Sequence, residues 1–143
     1  QLKEIGVQVT INKVEKSTYW DQLKVPADKT GYDMALWGYN PSHGSGQIHM
    51  ENLFTSNADE SEKPSLWNFI WYNNPEVDSL LTSAKEQVVE EEFNATMKQA
   101  EEIVWEECPY IWLYSNNIIS ATTADVDSVM VLPVVFTLVH RVK

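Results

Sequence analysis

Alternation of apolar and polar residues divides the chain into short strands and amphipathic helices. Residues 7–11 alternate apolar and polar side chains, which is typical of a half-buried strand. A mostly apolar run over 32–37, bounded by glycines, predicts a buried strand. Further short strands are predicted over 110–114 and 126–132. Strands that alternate with helices predict an α/β fold, with a mixed β-sheet flanked by helices.

Helical spacing of apolar residues predicts two long helices in the second half of the chain. A strong helix start is formed by Asn74, Pro75 and Glu76. Asparagine is a good N-cap, proline is favoured at the first helical position, and glutamate is favourable in the first turn. The apolar residues expected on the inner face are Val77, Leu80, Leu81, Ala84 and Val88. The second helix begins near Glu90 and is stopped by Pro109. Its predicted apolar face carries Phe93, Met97, Ala100, Ile103 and Val104.

Two shorter helices are predicted in the first half. Ser17 or Thr18 caps one of them, and the other covers about 48–54. Residues 1–5 resemble the end of a helix, because Gly6 suits the position that follows a helix C-terminus. Since the chain opens in the middle of a pattern, we expect it to belong to a longer protein.

Composition places the chain among globular domains and excludes several partners. Its 143 residues are 43% apolar, which is enough for one domain with a core. A net charge of −11 argues against nucleic acid and against anionic membranes. No apolar run approaches the length of a membrane span, so we predict no membrane insertion. A single cysteine, Cys108, makes no internal disulfide and is expected to be a buried, inert thiol.

Several motifs then occur in an informative order. They are 2–7 leading into a strand, 31–34 followed by Gly38-Tyr39, 72–78 opening a helix, and 108–114 after a long helix. Each motif alone is weak, but together they cover nearly the whole chain. In this order the chain resembles the peptide- and nickel-type family of solute-binding proteins that serve ABC importers, including the oligopeptide- and dipeptide-binding members.

The resemblance implies a two-lobed periplasmic-binding-protein fold whose lobes close on the ligand about a hinge. Residues 1–143 would then form a single fragment of the C-terminal lobe of a larger protein. The tail, 130–143, would cross back to the missing N-terminal lobe. The resemblance also implies an extracytoplasmic location, periplasmic or membrane-anchored on the outer face, and a permease partner. It implies no cofactor and no catalysis.

The loop over 37–45 is the best candidate for ligand contact. Turn-forming residues fill it after a predicted buried strand, and the corresponding loop of the family lines the cleft. Tyr39 stands where the family usually has tryptophan. Ser42 stands where peptide binders usually carry an aspartate that pairs with the peptide's ammonium group, and a serine cannot neutralise that charge. The candidate ligand-binding residues are Trp37, Tyr39, Asn40, Ser42 and His43.

Aromatic faces combined with neutral polar groups leave the ligand open. They suit an oligopeptide-like or other small polar solute whose backbone is recognised without charge. They equally suit a sugar ring, whose faces are apolar and whose edges need hydrogen bonds, so an oligosaccharide is the alternative. Trp67, Trp71 and Tyr72 form a second aromatic group that is either another wall of the site or part of the core.

The chain lacks the signatures of an enzyme or of a metal site. Ser45 lies between glycines without the spacing of a nucleophile elbow, and no glycine-rich phosphate loop occurs. His43 and His49 match no established metal pattern, and His140 lies far along the chain, so we predict no metal. A protein-interaction module is the other class to consider, because the exposed wall of a single lobe would resemble such a surface.

Overall fold

The computed structural model describes residues 2–40, 44–57, 63–117, 119, 121–124, 126, 130–131 and 137–138. Within these residues the α-helices are α1 (Lys16–Leu23), α2 (Gly46–Phe54), α3 (Pro75–Glu86) and α4 (Glu90–Glu107). Leu2–Ile5 and Ala27–Lys29 form 3-10 turns. The strands are β1 (Met130–Val131) and β2 (Thr137–Leu138), which pair in antiparallel fashion.

The predicted mixed β-sheet is wrong, because the described residues form a helical fold. Segments 7–11, 32–37 and 110–114 are not strands, and none of them pairs with another strand among the described residues. Most of their apolar side chains are exposed, with Ile11 at 77% and Ile111 at 75%, although Trp37 and Tyr110 are half-buried. Alternation selects a face for a strand, but a ladder also needs a second strand in register to satisfy its backbone N–H and C=O groups. The pattern alone does not supply that partner.

Local signals predicted helices α3 and α4 correctly. The side-chain oxygen of Asn74 accepts hydrogen bonds from the backbone N–H of Glu76 at 2.9 Å and of Val77 at 3.3 Å, which caps α3. Helix α4 ends at Glu107, and the left-handed backbone of the next residue, Cys108 (φ 46°, ψ 53°), closes the helix one residue before Pro109. The Cys108 side chain lies beyond the last helical turn and is exposed, so the expected buried thiol is wrong.

The core lies between α2, α3 and α4. Its buried residues are Met50, Leu53, Phe54, Tyr72, Val77, Leu81, Ala84, Met97, Ala100 and Val104. Burial of one large apolar side chain contributes about 2 kcal/mol, so this cluster supplies the main support for the loops around it. Val88, expected on the inner face, is almost fully exposed because α3 ends at Glu86. Within the described ranges, no helix combines the length and the apolar character needed to cross a bilayer.

Side-chain hydrogen bonds, rather than a ladder, attach α1 to the rest of the molecule. The Tyr19 hydroxyl on α1 donates to the carbonyl of Leu36 at 2.7 Å. The Trp71 indole N–H donates to the carbonyl of Val25, just after α1, at 3.1 Å. These two bonds hold α1 beside segment 32–37 and beside the loop that precedes α3.

Candidate functional site

The structure brings two of the predicted site residues together. The rings of Trp37 and Tyr39 lie edge to face, with centroids 6.2 Å apart. Both side chains are half-buried, and Asn40, the next residue, is exposed. Ser42 and His43 lie outside the described residues. Ligand contact by these five residues therefore stays a prediction.

Trp20, Trp37, Tyr39 and Trp67 form a closed ring of neighbouring aromatic side chains. Around this ring the centroid distances are 6.3 Å, 6.2 Å, 6.0 Å and 5.9 Å. Phe69 contacts three of the four rings, at 5.3 Å from Trp37, 5.6 Å from Trp67 and 5.9 Å from Trp20. These five residues are called the aromatic cluster below. Phe69 is buried whereas Trp67 is 42% exposed, so the cluster has both an inner side and a side open to solvent.

Helix α2 fixes the position of Tyr39. The side-chain amide of Asn52 donates to the Tyr39 hydroxyl at 2.7 Å, and the Asn52 carbonyl accepts the backbone N–H of Trp67 at 2.9 Å. One residue of α2 thus holds two members of the aromatic cluster. His49 lies one turn earlier on the same helix, and its imidazole packs edge-on against the Tyr39 ring at 4.7 Å. Burial lowers the pKa of His49 below its ordinary value, which favours a neutral ring at pH 7.

A buried asparagine holds the loop that carries Trp67 and Phe69. Asn68 is 0% exposed. Its side-chain amide donates to the carbonyls of Thr55 at 2.9 Å and Tyr72 at 2.7 Å, and its side-chain oxygen accepts the Tyr72 N–H at 2.9 Å. Since these backbone groups are paired, the loop has a defined path. The two aromatic side chains on either side of Asn68 are therefore presented by a fixed backbone.

Left-handed backbone occurs on both sides of Trp67 and Phe69 in this loop. Leu66 has φ 48° and Trp71 has φ 57°, although neither is glycine. A left-handed conformation costs about 1–2 kcal/mol in an ordinary L-residue and persists only where surrounding contacts impose it. The bond from the Trp67 N–H to Asn52 and the bond from the Trp71 indole to Val25 are two such contacts.

Sequence reasoning missed the neighbours that complete the aromatic cluster. Trp20 belongs to α1 and Phe69 to a distant loop, and no local pattern connects either of them with Tyr39. From the sequence, Trp67 could form a second wall of the site or part of the core. The structure places its partly exposed ring beside Tyr39. Tyr72, by contrast, belongs to the core. The large number of tryptophans is the one sequence signal that points to such a cluster.

A metal site finds no support in the described part of the chain. No group of three histidine, cysteine, aspartate or glutamate side chains among the described residues is arranged to hold a metal ion. His49 packs on Tyr39 instead. His43 and His140 lie outside the described residues.

Comparison with known proteins finds glutathione-binding proteins among the relatives of this chain. Over 134 residues, 93% of the chain, the sequence is 26% identical to the glutathione-binding protein GsiB of Pectobacterium atrosepticum. Over the same share it is 27% identical to GsiB of Salmonella typhimurium and 25% identical to GsiB of Escherichia coli K12. The chain spans about a quarter (26%) of the length of these relatives. No family model and no solved structure matches it. The similarity supports, at the level of the family, the resemblance to solute-binding proteins drawn from the motifs.

Proposed function

We propose that this chain forms one wall of the binding cleft of a solute-binding protein that delivers its ligand to an ABC importer. The observation that carries the proposal is the similarity to glutathione-binding proteins along 93% of the chain. It agrees with the ordered motifs of the sequence, which resemble the same class of proteins. The half-exposed aromatic cluster supplies a surface suited to a small ligand.

Exposed apolar segments support the proposal that residues 1–143 are a fragment of a C-terminal lobe. Ile11, Leu36, Ile111 and Leu113 are large apolar side chains that are mostly exposed. Extended apolar exposure of this kind marks surface that another part of a protein covers. The relatives are about four times as long as the chain, and this leaves ample polypeptide to cover it. In this proposal the N-terminal lobe is one such part, and the tail 130–143 crosses back to it.

The ligand we propose is an oligopeptide-like or other small polar solute. The relatives are named glutathione-binding proteins, and glutathione is a tripeptide. Tyr39 and Trp67 offer ring surface, and Tyr39 and Asn40 offer neutral polar groups. Ring faces cover the apolar parts of a peptide while neutral groups bond its amides. Ser42 and His43 belong to the proposed contact surface as well.

Closure of two lobes about a hinge is the proposed mechanism. The solute occupies the cleft, and its contacts with both lobes favour the closed form over the open form. The closed protein then docks on the permease on the outer face of the membrane. No bond is made or broken, so this function is not enzymatic.

Native mass spectrometry of the full-length protein, purified without denaturation, tests this function. We expect a retained solute whose mass matches a small peptide. A series of masses spaced by one hexose would instead favour the oligosaccharide alternative. A protein that retains no solute, and whose Tm is unchanged by glutathione, by tri-alanine and by maltotriose, would contradict solute capture and favour a protein-interaction module.

A further inference from the structure

We infer that the Tyr39 hydroxyl donates a hydrogen bond to an acceptor oxygen of the bound solute, and that Asn52 sets the direction of this bond. The inference rests on the proposed function and goes further, because it names the chemical group of the solute that is recognised. It also assigns a role to Asn52, a residue of α2 outside the predicted binding loop.

The Tyr39 phenol has a single hydrogen, and its direction is constrained by Asn52. A tyrosine hydroxyl has one hydrogen to donate and lone pairs with which it accepts. At 2.7 Å the side-chain amide of Asn52 donates to the Tyr39 oxygen, so the Tyr39 hydrogen must point elsewhere. Among residues 2–40, 44–57 and 63–117, no side chain or carbonyl accepts it. Because Tyr39 is only half-buried, this hydrogen is free to bond water, and an acceptor group of a bound solute can take the place of that water.

The Tyr39 ring is held firmly by its neighbours. Tyr39 has Trp37 at 6.2 Å, His49 at 4.7 Å and Trp67 at 6.0 Å, so aromatic contacts restrict its ring from several sides. Asn52 restrains the hydroxyl itself and also bonds the backbone of Trp67. A donor held in this way loses little freedom when it bonds a ligand, which favours affinity.

The position of Tyr39 beside Trp67 indicates which group of the solute is recognised. A solute that covers the exposed side of Trp67 lies beside Tyr39, because the two rings are neighbours. The tryptophan ring then covers an apolar part of the solute, while the hydroxyl needs an acceptor. Carboxylate and carbonyl oxygens are acceptors without a hydrogen of their own. We therefore assign the site to solutes that carry such an oxygen next to an apolar surface, as small peptides do.

Reversal of the Asn52 bond tests the inference. In Asn52→Asp the carboxylate only accepts, so it takes the Tyr39 hydrogen and leaves none for the solute. Calorimetric titration of the full-length protein with glutathione, and in parallel with tri-alanine, measures the affinity. We expect Asn52→Asp and Tyr39→Phe each to weaken binding about tenfold or more. Because both substitutions remove the same bond to the solute, the double variant should have about the same affinity as the single variant that binds less tightly.

Matched controls separate this effect from charge and from folding. Asn73→Asp makes the same chemical change at an exposed position outside the aromatic cluster and should change the affinity less than about twofold, as expected of a charge outside the site. Thermal unfolding without solute should occur at only a slightly lower temperature for Tyr39→Phe than for the wild type, because the ring contacts are retained and only the bond from the Asn52 amide is lost. Equal affinity of Tyr39→Phe, Asn52→Asp and the wild type would overturn the inference and leave the proposed function intact. A wild type that binds neither peptide probe would overturn peptide capture and the inference with it.

Discussion

The Tyr72 hydroxyl donates a hydrogen bond to the carboxylate of Glu107, the last residue of α4. The other carboxylate oxygen accepts the side-chain amide of Asn74 at 2.8 Å. Burial, reinforced by the bond to Glu107, raises the pKa of Tyr72, so this phenol stays protonated and remains a donor. One carboxylate thereby joins the end of α4 to the residues that begin α3.

Glu107→Gln should weaken this junction. The amide that replaces the carboxylate has only one acceptor oxygen, so either the Tyr72 hydroxyl or the Asn74 amide loses its acceptor. We expect the free energy of unfolding to fall by about 1 kcal/mol, measured by urea denaturation. Glu106→Gln is the control, because this substitution removes the same charge at the neighbouring, exposed position. Equal losses in the two variants would contradict a specific role for Glu107.

Asn68→Ala should destabilise the protein more strongly. The substitution leaves three buried or partly buried backbone groups, on Thr55 and Tyr72, without their side-chain partner. Unpaired buried groups are costly, and we expect a loss of about 3 kcal/mol in the free energy of unfolding. Asn73→Ala, at an exposed position of the same loop, serves as the control and should cost far less. If both variants unfold at the same urea concentration, Asn68 does not hold the loop.

His49 should make stability depend on pH in a definite direction. Burial lowers its folded-state pKa below the ordinary 6.5, so the unfolded chain takes up this proton at a higher pH than the folded chain. The contribution is fully present above pH 6.5 and is lost as the pH falls through the folded-state pKa. His49→Phe keeps a ring beside Tyr39 but cannot take up a proton.

The wild type and His49→Phe are compared by how much the free energy of unfolding falls between about pH 7.5 and about pH 5.5. This range brackets histidine titration. We expect the loss to be smaller in His49→Phe than in the wild type. Other titrating groups contribute to both proteins and cancel in the difference. A loss of the same size in both proteins would show that His49 does not titrate at a shifted pKa.

Helices were predictable because their signals are local. The cap at Asn74, the proline at position 75 and the spacing from Val77 to Ala84 all lie within one short stretch, and the structure confirms each of them. The sheet was not predictable in the same way. Alternation over 7–11 specifies which side chains share a face, but strand pairing depends on a partner that the local sequence does not encode.

The site was predictable only in part for the same reason. Turn residues after a mainly apolar run pointed to Trp37 and Tyr39, which the structure places in contact. Their other neighbours come from four different parts of the chain: Trp20 from α1, Asn52 from α2, Trp67 from the loop before α3 and Tyr110 from the segment after α4. Such contacts are set by tertiary packing, and no spacing along the chain encodes them.

Hydroxyl-radical footprinting of the full-length protein most directly tests whether the aromatic cluster faces the solute. Oxidation of Trp67 is compared with oxidation of Trp105, which is 72% exposed on α4 and lies outside the cluster. We predict that a saturating amount of the solute identified by mass spectrometry protects Trp67 strongly and leaves Trp105 unchanged. Unchanged oxidation of Trp67, or equal protection of both residues, would contradict a ligand-facing role for the cluster.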